Sequence, residues 1–541
     1  MTPEVVVSKN SFKRRDYLCL AAITSAISLA ALLFYFHLGA ILLYGDAVAH
    51  INIARRVFDS RTPGLFQLGT VWLPLQHILD IPFIFNNWLW HTGLGASLPS
   101  MAAYVAGTLG IFRLLLARVS RAAAWAGALI YALNPNMLYM QTTAMTEVLY
   151  LALLIWTVVY FSEFVSQVSS GGSEESTRAR KSLDKCALLT AAAMLVRYDA
   201  WFLAAAMTVA IAITLWRFKA WTSVARAGFV HFVLLTSLTA GLWLAYNHGA
   251  YGNALEFANG PYSARAIMQR SFTPTMRTYP GENNPQHAAL YFLKISRLNL
   301  AVGHLDYFLF AVAFVALISV FYFSRRSLPL VLLWAPLPFY VLCIAWNSVP
   351  IYFPDWWPHS YYNVRYGLQM LPAVAVFVAL AYEFGRKFFP ARYIAAAVML
   401  LVGASYISVW RETPICLREA IVNGGPRMLF EKQVGAELKK LPASATIMMD
   451  CGAHSGAVQE AGIPFRRILR ESNPPDWQIA LSGPAQAADY VVAFEGDDVF
   501  LAVRLFPQGL ELIATLDTPG QPRVFIYRSS LLSQRLSSQR L

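Results

Sequence analysis

The sequence predicts an α-helical polytopic membrane protein, about 11 transmembrane helices followed by a small C-terminal soluble α/β domain. Three observations predict it. Of 541 residues, 57% are hydrophobic and only 13% charged, with a mean hydropathy of +0.47; a soluble chain carries roughly 25% charged residues. The apolar residues gather in long runs parted by short basic clusters, and from residue 411 onward the pattern changes to short β-rich stretches between Pro/Gly segments.

The first apolar run covers 17–43. At about 1.5 Å rise per residue it exceeds what a hydrocarbon core of roughly 30 Å requires. Its basic flank, "KNSFKRRD", imitates a secretion signal, but the run is too long and no small-residue cleavage site follows, so a retained first span is expected. Further runs lie near 99–117, 122–138, 144–164, 186–197, 199–216, 228–246, 303–323, 328–346, 364–384 and 391–410, eleven with the first. Basic clusters fall at Lys9 to Arg15, Arg118 and Arg121, Arg178 to Lys185, Arg217 to Arg226, Arg325 and Arg326, and Arg386 to Arg392, after every second run. The positive-inside rule then places the N-terminus in the cytoplasm, in an inner (plasma) membrane. An odd number of spans sends the C-terminus to the outer face.

The expected organisation is therefore a transmembrane domain over 1–410, with long outer loops 44–98 and 247–302, and a periplasmic or extracytoplasmic domain over 411–541. The last is read from "LPASATIMMDCG", "ADYVVAFEGDD", "LELIATLDTPG" and "PRVFIYRSS". The net charge of +13 sits in the topology-setting clusters, which argues against a nucleic-acid partner. The five cysteines, Cys19, Cys186, Cys343, Cys416 and Cys451, show neither CxxC nor zinc spacing, and only Cys416 with Cys451 invites a disulfide on an oxidising face.

Two runs are too short to span. Residues 186–196 end in Arg197, Tyr198 and Asp199, and 122–133 end in "NPNMLYMQTTAMTE". Half-length segments ending in polar residues point to a site within membrane depth. With this topology Asp46, His50, Glu147, Arg197, Asp199, His304, Asp306, Asp355, His359 and Arg365 share the outer side, and a polar cavity beneath two ordered loops is expected.

Within "LLYGDAVAHINIARRVFDS", Asp46 ends a span and His50 follows one helical turn later. A partly desolvated carboxylate there suits a general base oriented by the histidine; an ordinary helix N-cap is the plain alternative. Arg55 and Arg56 suit lipid headgroups or substrate on a surface-lying helix, and "QLGTVWLPLQH" puts Trp72, Pro74 and His77 in a rigid turn. Glu147 either contributes to a site or simply favours its helix dipole. Arg197 and Asp199 either pair with each other or grip a phosphate. Arg365 in "HSYYNVRYGLQMLP" either binds substrate or snorkels within an aromatic belt, and "FPDWWPH", with His359, suggests a lid or substrate shelf.

Together "YGDAVAHINIARRVFDS", "WLPLQHILDIP", "NPNMLYMQTTAMTEVLYLALL", "AAMLVRYDAWFL" and "YNVRYGLQMLPAVAV" resemble the GT-C superfamily of membrane glycosyltransferases, near the protein O-mannosyltransferases and bacterial aminoarabinose transferases. The resemblance implies an acidic residue in the first outer loop, a polyprenyl-phosphate sugar as donor, and inverting transfer on the extracytoplasmic side. Asp46 holds that acidic position. Many relatives have a second acid directly after it, where this chain has Ala47.

A lipid phosphate leaves without being protonated, so one base and some cationic help suffice, whereas a glycosidase needs two carboxylates. The expected activity is transfer of a sugar from a polyprenyl-phosphate donor to a hydroxyl of a glycan, lipid or protein acceptor. Asp46 serves as base, His50 orients it, and Arg197, Asp199, Glu147, Arg365, His359, Arg55 and Trp72 contact lipid phosphate or sugar. No cofactor is required, and a divalent metal is allowed without being needed. The competing reading is a transporter or flippase of polyprenyl-linked glycans.

Overall fold

The computed structural model describes residues 14–271, 281–346, 349–473 and 475–531. Lys9 and Lys13 of the first basic cluster, and 272–280 of the second long loop, lie outside them. The chain folds as two compact units: one of Met1–Leu38, Thr70–Gln76 and Pro99–Glu419, the other of Gly39–Gly69, His77–Leu98 and Ala420–Leu541.

In the first unit, helices follow the apolar runs. Among the described residues nine segments are long and apolar enough to cross a membrane: Arg14–His37, Leu94–Leu116, Thr146–Ser170, Asp199–Arg217, Ser223–Tyr251, Leu305–Phe323, Arg325–Ala345, Val364–Gly385 and the start of Ala391–Lys439. The two remaining runs of the eleven are the two marked short. One breaks where Asn134 stops the helix Arg121–Ala132 and caps the next, Pro135–Met140, by accepting from the Asn136 and Met137 amides. The other is only the apolar end of a helix, Ser173–Met194, whose first half is charged.

Burial on the first helix is inverted relative to a soluble protein. Leu18, Leu29, Leu33 and Phe34 are exposed while Asp16, Thr24 and Ser28 are buried. Lipid is the solvent for those apolar side chains, so polar groups turn inward to find partners. Ser28 donates to Gln141 Oε1 at 2.6 Å and Asp16 pairs with Arg121.

The interruption at Asn134 is stabilised by a closed set of amides. Asn134 and Asn136 both donate to the Asn299 carbonyl, at 2.9 and 3.1 Å, and Asn299 Nδ2 donates to Val364 O at 2.8 Å. Buried backbone groups freed by the break are thereby satisfied, and the start of the helix Pro135–Met140 is held in place.

The second unit holds a five-stranded sheet: β1 (Ile447–Met449), β2 (Ile468–Leu469), β3 (Tyr490–Phe494), β4 (Leu510–Leu516) and β5 (Val524–Ser529), in the order β2-β1-β3-β5-β4. β1 pairs in parallel with β2 and β3; β5 runs antiparallel to β3 and β4. Met448, Leu469, Val491 and Ala493 pack with Trp477, Val499 and Val503 as its core. The same unit contains the first-loop helices. Asn52 donates to Gln459 Oε1 at 3.0 Å and accepts from Trp90 Nε1 at 2.9 Å, while Gln459 donates to Trp90 O at 2.8 Å. The contacts thus group much of the loop 44–98 with the C-terminal domain, and the division after Glu419 falls inside one helix, Ile415–Lys439. Among the described residues the five cysteines form no disulfide.

Candidate functional site

Four of the residues singled out by sequence meet inside the first unit. Arg197 follows the helix Ser173–Met194 and donates through Nη1 to Thr146 Oγ1 and Glu147 Oε1, both at 3.1 Å, and through Nη2 to Tyr340 Oη at 2.8 Å. Its Nε lies 3.3 Å from Asp199 Oδ2, which also accepts from Tyr340 at 3.1 Å. Arg365 Nε shares Glu147 Oε1 at 3.1 Å, and its Nη1 donates to Glu419 Oε1 at 2.7 Å. Tyr366 lies beneath both guanidiniums, 4.5 and 5.1 Å from its ring centre.

The loop that carries Arg365 is fixed by the same carboxylate. Asn363, in the left-handed region at φ 56°, donates its amide to Glu419 Oε1 at 2.8 Å, and the Arg365 amide donates to Oε2 at 3.2 Å. Buried guanidiniums persist only where carboxylates and hydroxyls saturate them, and that is the arrangement here. Of the two readings for Arg197 and Asp199, the pairing is what the geometry realises. Glu147, at 0% exposure, does more than favour a dipole: it bridges both arginines.

Asp46, His50 and Arg55 all lie on the helix Gly45–Arg56 of the second unit. Tyr44, not Asp46, occupies its N-cap position, and Asp46 falls in the first turn, half-buried. His50 is buried and its Nδ1 lies 2.7 Å from Nε2 of His77, also buried, on the helix Leu75–Ile84. His77 is therefore helical, where the sequence suggests a turn. Arg55, expected at headgroups or substrate, is buried instead. It donates to Asp59 at 2.9 Å and to Ile84 O and Asn87 Oδ1 at 2.8 Å, and stacks 4.6 Å from the Trp90 ring. Its polar group needs partners away from water, and the loop supplies them.

No family model matches the chain, and no curated protein matches it. Solved structures do. ArnT from Cupriavidus metallidurans in the apo state aligns with a TM-score of 0.57 at 12% identity, covering 94% of this chain and 98% of that one. The same protein bound to undecaprenyl phosphate aligns with a TM-score of 0.56 at 12% identity, over 93% of this chain and 97% of that one. The chain has the GT-C fold. AglB, an archaeal oligosaccharyltransferase from Archaeoglobus fulgidus in complex with an inhibitory peptide and a dolichol-phosphate, aligns at 0.47 and 12% identity, over 96% of this chain and 75% of that one.

Within this GT-C fold Trp72 belongs to the first unit, in the segment Thr70–Gln76, and is half-buried. His359 sits exposed at φ 57°, its Nδ1–H donating to Pro354 O at 2.8 Å. Tyr340, Glu419 and the pairing of His77 with His50 are absent from the sequence reading. Each partner lies far along the chain, so no local spacing announces it. Among the described residues no group of three or more His, Cys, Asp or Glu is arranged to hold a metal ion.

Proposed function

We propose that this chain is a membrane glycosyltransferase. It moves a sugar from a polyprenyl-phosphate donor to a hydroxyl acceptor at the outer face of the inner membrane, with inversion at the anomeric carbon. The observation that carries the reading is the GT-C fold, aligned over 94% of the chain with ArnT, a protein also solved with undecaprenyl phosphate bound. The place of Asp46 supports it further: a half-buried carboxylate in the first turn of the first-loop helix, with a buried histidine one turn on.

In this mechanism Asp46 takes the proton of the acceptor hydroxyl. The acceptor oxygen bonds to the anomeric carbon as the bond to the phosphate oxygen breaks, and the electron pair leaves with the polyprenyl phosphate. The leaving group departs as a stable anion, so no acid is needed to protonate it. Arg197, Asp199, Glu147 and Arg365 enter as the network that braces the membrane unit, because both guanidiniums are committed to carboxylates. His359 is the exposed candidate for contact with the donor's phosphate or sugar.

The test is to incubate the purified chain in lipid with a panel of polyprenyl-phosphate sugars and candidate acceptors. Free polyprenyl phosphate should appear with one donor, and Asp46→Asn should lose about 100-fold or more in turnover at unchanged expression. Transbilayer movement of the donor without release of polyprenyl phosphate would show a flippase.

A further inference from the structure

We propose that His77 is a positioning residue that holds His50 in its Nε2–H tautomer, so that His50 presents an N–H donor toward the helical turn that carries Asp46. The inference rests on the reading of Asp46 as the base.

The geometry allows one proton between the two rings. His50 Nδ1 and His77 Nε2 are 2.7 Å apart, and the exposures are 1% for His50 and 0% for His77. Nδ1 of His77 meets no hydrogen-bond partner among the described residues. A neutral His77 carries its single N–H on one nitrogen or the other. If it were on Nδ1, a buried donor would be stranded. If it is on Nε2, only a lone pair is left bare at Nδ1, and under-satisfied buried acceptors are tolerated better than orphaned donors. The second arrangement makes His77 the donor and His50 Nδ1 the acceptor.

Protonation of both His77 nitrogens is opposed by burial and by two neighbours at once. Burial, the facing His50 ring and the Arg56 guanidinium all hold His77 well below the usual histidine range. His50, with Nδ1 engaged as acceptor, then bears its proton on Nε2. Asp46 and His50 share the helix Gly45–Arg56 at i and i+4, one turn apart on one face. An N–H donor on that face orients the carboxylate. His77 touches no reacting atom; it acts through His50, as a buried partner fixes a catalytic imidazole elsewhere.

Two measurements test the assignment. The first uses histidine-selective 15N NMR of the full chain in lipid nanodiscs between about pH 6 and 8. Both His50 and His77 should show a protonated Nε2 and a bare Nδ1, joined by an N–H···N coupling, and His77→Phe should convert His50 to a tautomer mixture. A wild-type His50 protonated at Nδ1, or at both nitrogens, would overturn the proposal. This readout needs no substrate and so fails or succeeds separately from the transferase reading.

The second uses the polyprenyl-phosphate sugar that the wild type turns over. His77→Phe should lower kcat by about tenfold to a hundredfold with KM within about twofold, and His77→Gln, whose amide can donate to His50 Nδ1, should recover most of the loss. Equal losses for Phe and Gln, or no loss for Phe, would overturn the positioning role. The expected tautomers in a chain that turns over no donor of the panel would overturn the transferase reading beneath it.

Discussion

Glu147 receives two guanidiniums on a single oxygen, Arg197 Nη1 and Arg365 Nε each at 3.1 Å, at 0% exposure. Glu147→Gln removes the shared charge and leaves both cations under-compensated in the interior. The expected loss of stability is about 3 kcal/mol, visible as a lower thermal unfolding midpoint in detergent. Unchanged melting would mean that Asp199 and Glu419 carry the arginines alone. Asp46, Glu147, Arg197 and Arg365 were legible in the sequence because each interrupts or borders an apolar run, where a charge needs a reason. Glu419 and Tyr340 were not, since an acid inside a mixed helix and a tyrosine inside a span look ordinary until Arg365 and Arg197 are seen against them. Arg55 departs from the expected exposed position for a related cause: helical spacing says which face it occupies but not that Asp59, Asn87 and Trp90 cover that face.

Among the elements, the apolar runs predict their helices closely, because length and hydropathy decide membrane helices with little help from tertiary context. Strand β2 escaped notice because it is two residues long, Ile468–Leu469, and pairs only through β1. The segment Val364–Met370 shows what hydropathy misses. A Cβ placed at Gly367 would lie 2.5 Å from Ile295 O and 2.6 Å from Asn299 Nδ2. The residue is glycine because the helix Pro285–Leu298 approaches its backbone directly. Gly367→Ala should cost about 1–3 kcal/mol and shift the adjacent Arg365; the check is a thermal melt beside the Gly403→Ala variant, where the site is open and little change is expected.

The sheet's parallel strands end in carboxylates. Burial pushes Asp497 up to about 7, and burial with the facing Glu471 pushes Asp450 up to about 6. Folded-state values above the unfolded ones mean that the native domain binds protons the unfolded chain has released. Stability is therefore fully present below about pH 4 as far as these groups go, and falls as pH rises toward about 7. Amide exchange of β1 and β3 in the intact chain should quicken across that window. Asp497→Asn, which keeps the cap on Phe500 N, should flatten the dependence.

For the whole molecule, topology is the coarsest prediction. A C-terminal alkaline phosphatase fusion should be active and a fluorescent-protein fusion dark if residues 411–541 face outward; the reverse result would invert the assignment and with it the side on which Asp46 works. The division into units was less legible. Composition separates residues 1–410 from the β-rich stretches of 411–541, but the contacts that group Asn52 and Trp90 with Gln459 join residues about 400 positions apart in sequence and leave no trace in hydropathy. The cysteines turn that division into a ready-made gauge. Cys19 is exposed, whereas Cys186, Cys343 and Cys416 are buried in one unit and Cys451 in the other. In gentle detergent a maleimide should mark Cys19 alone, and on warming, the order in which the silent thiols become reactive would report which half of the protein loosens first.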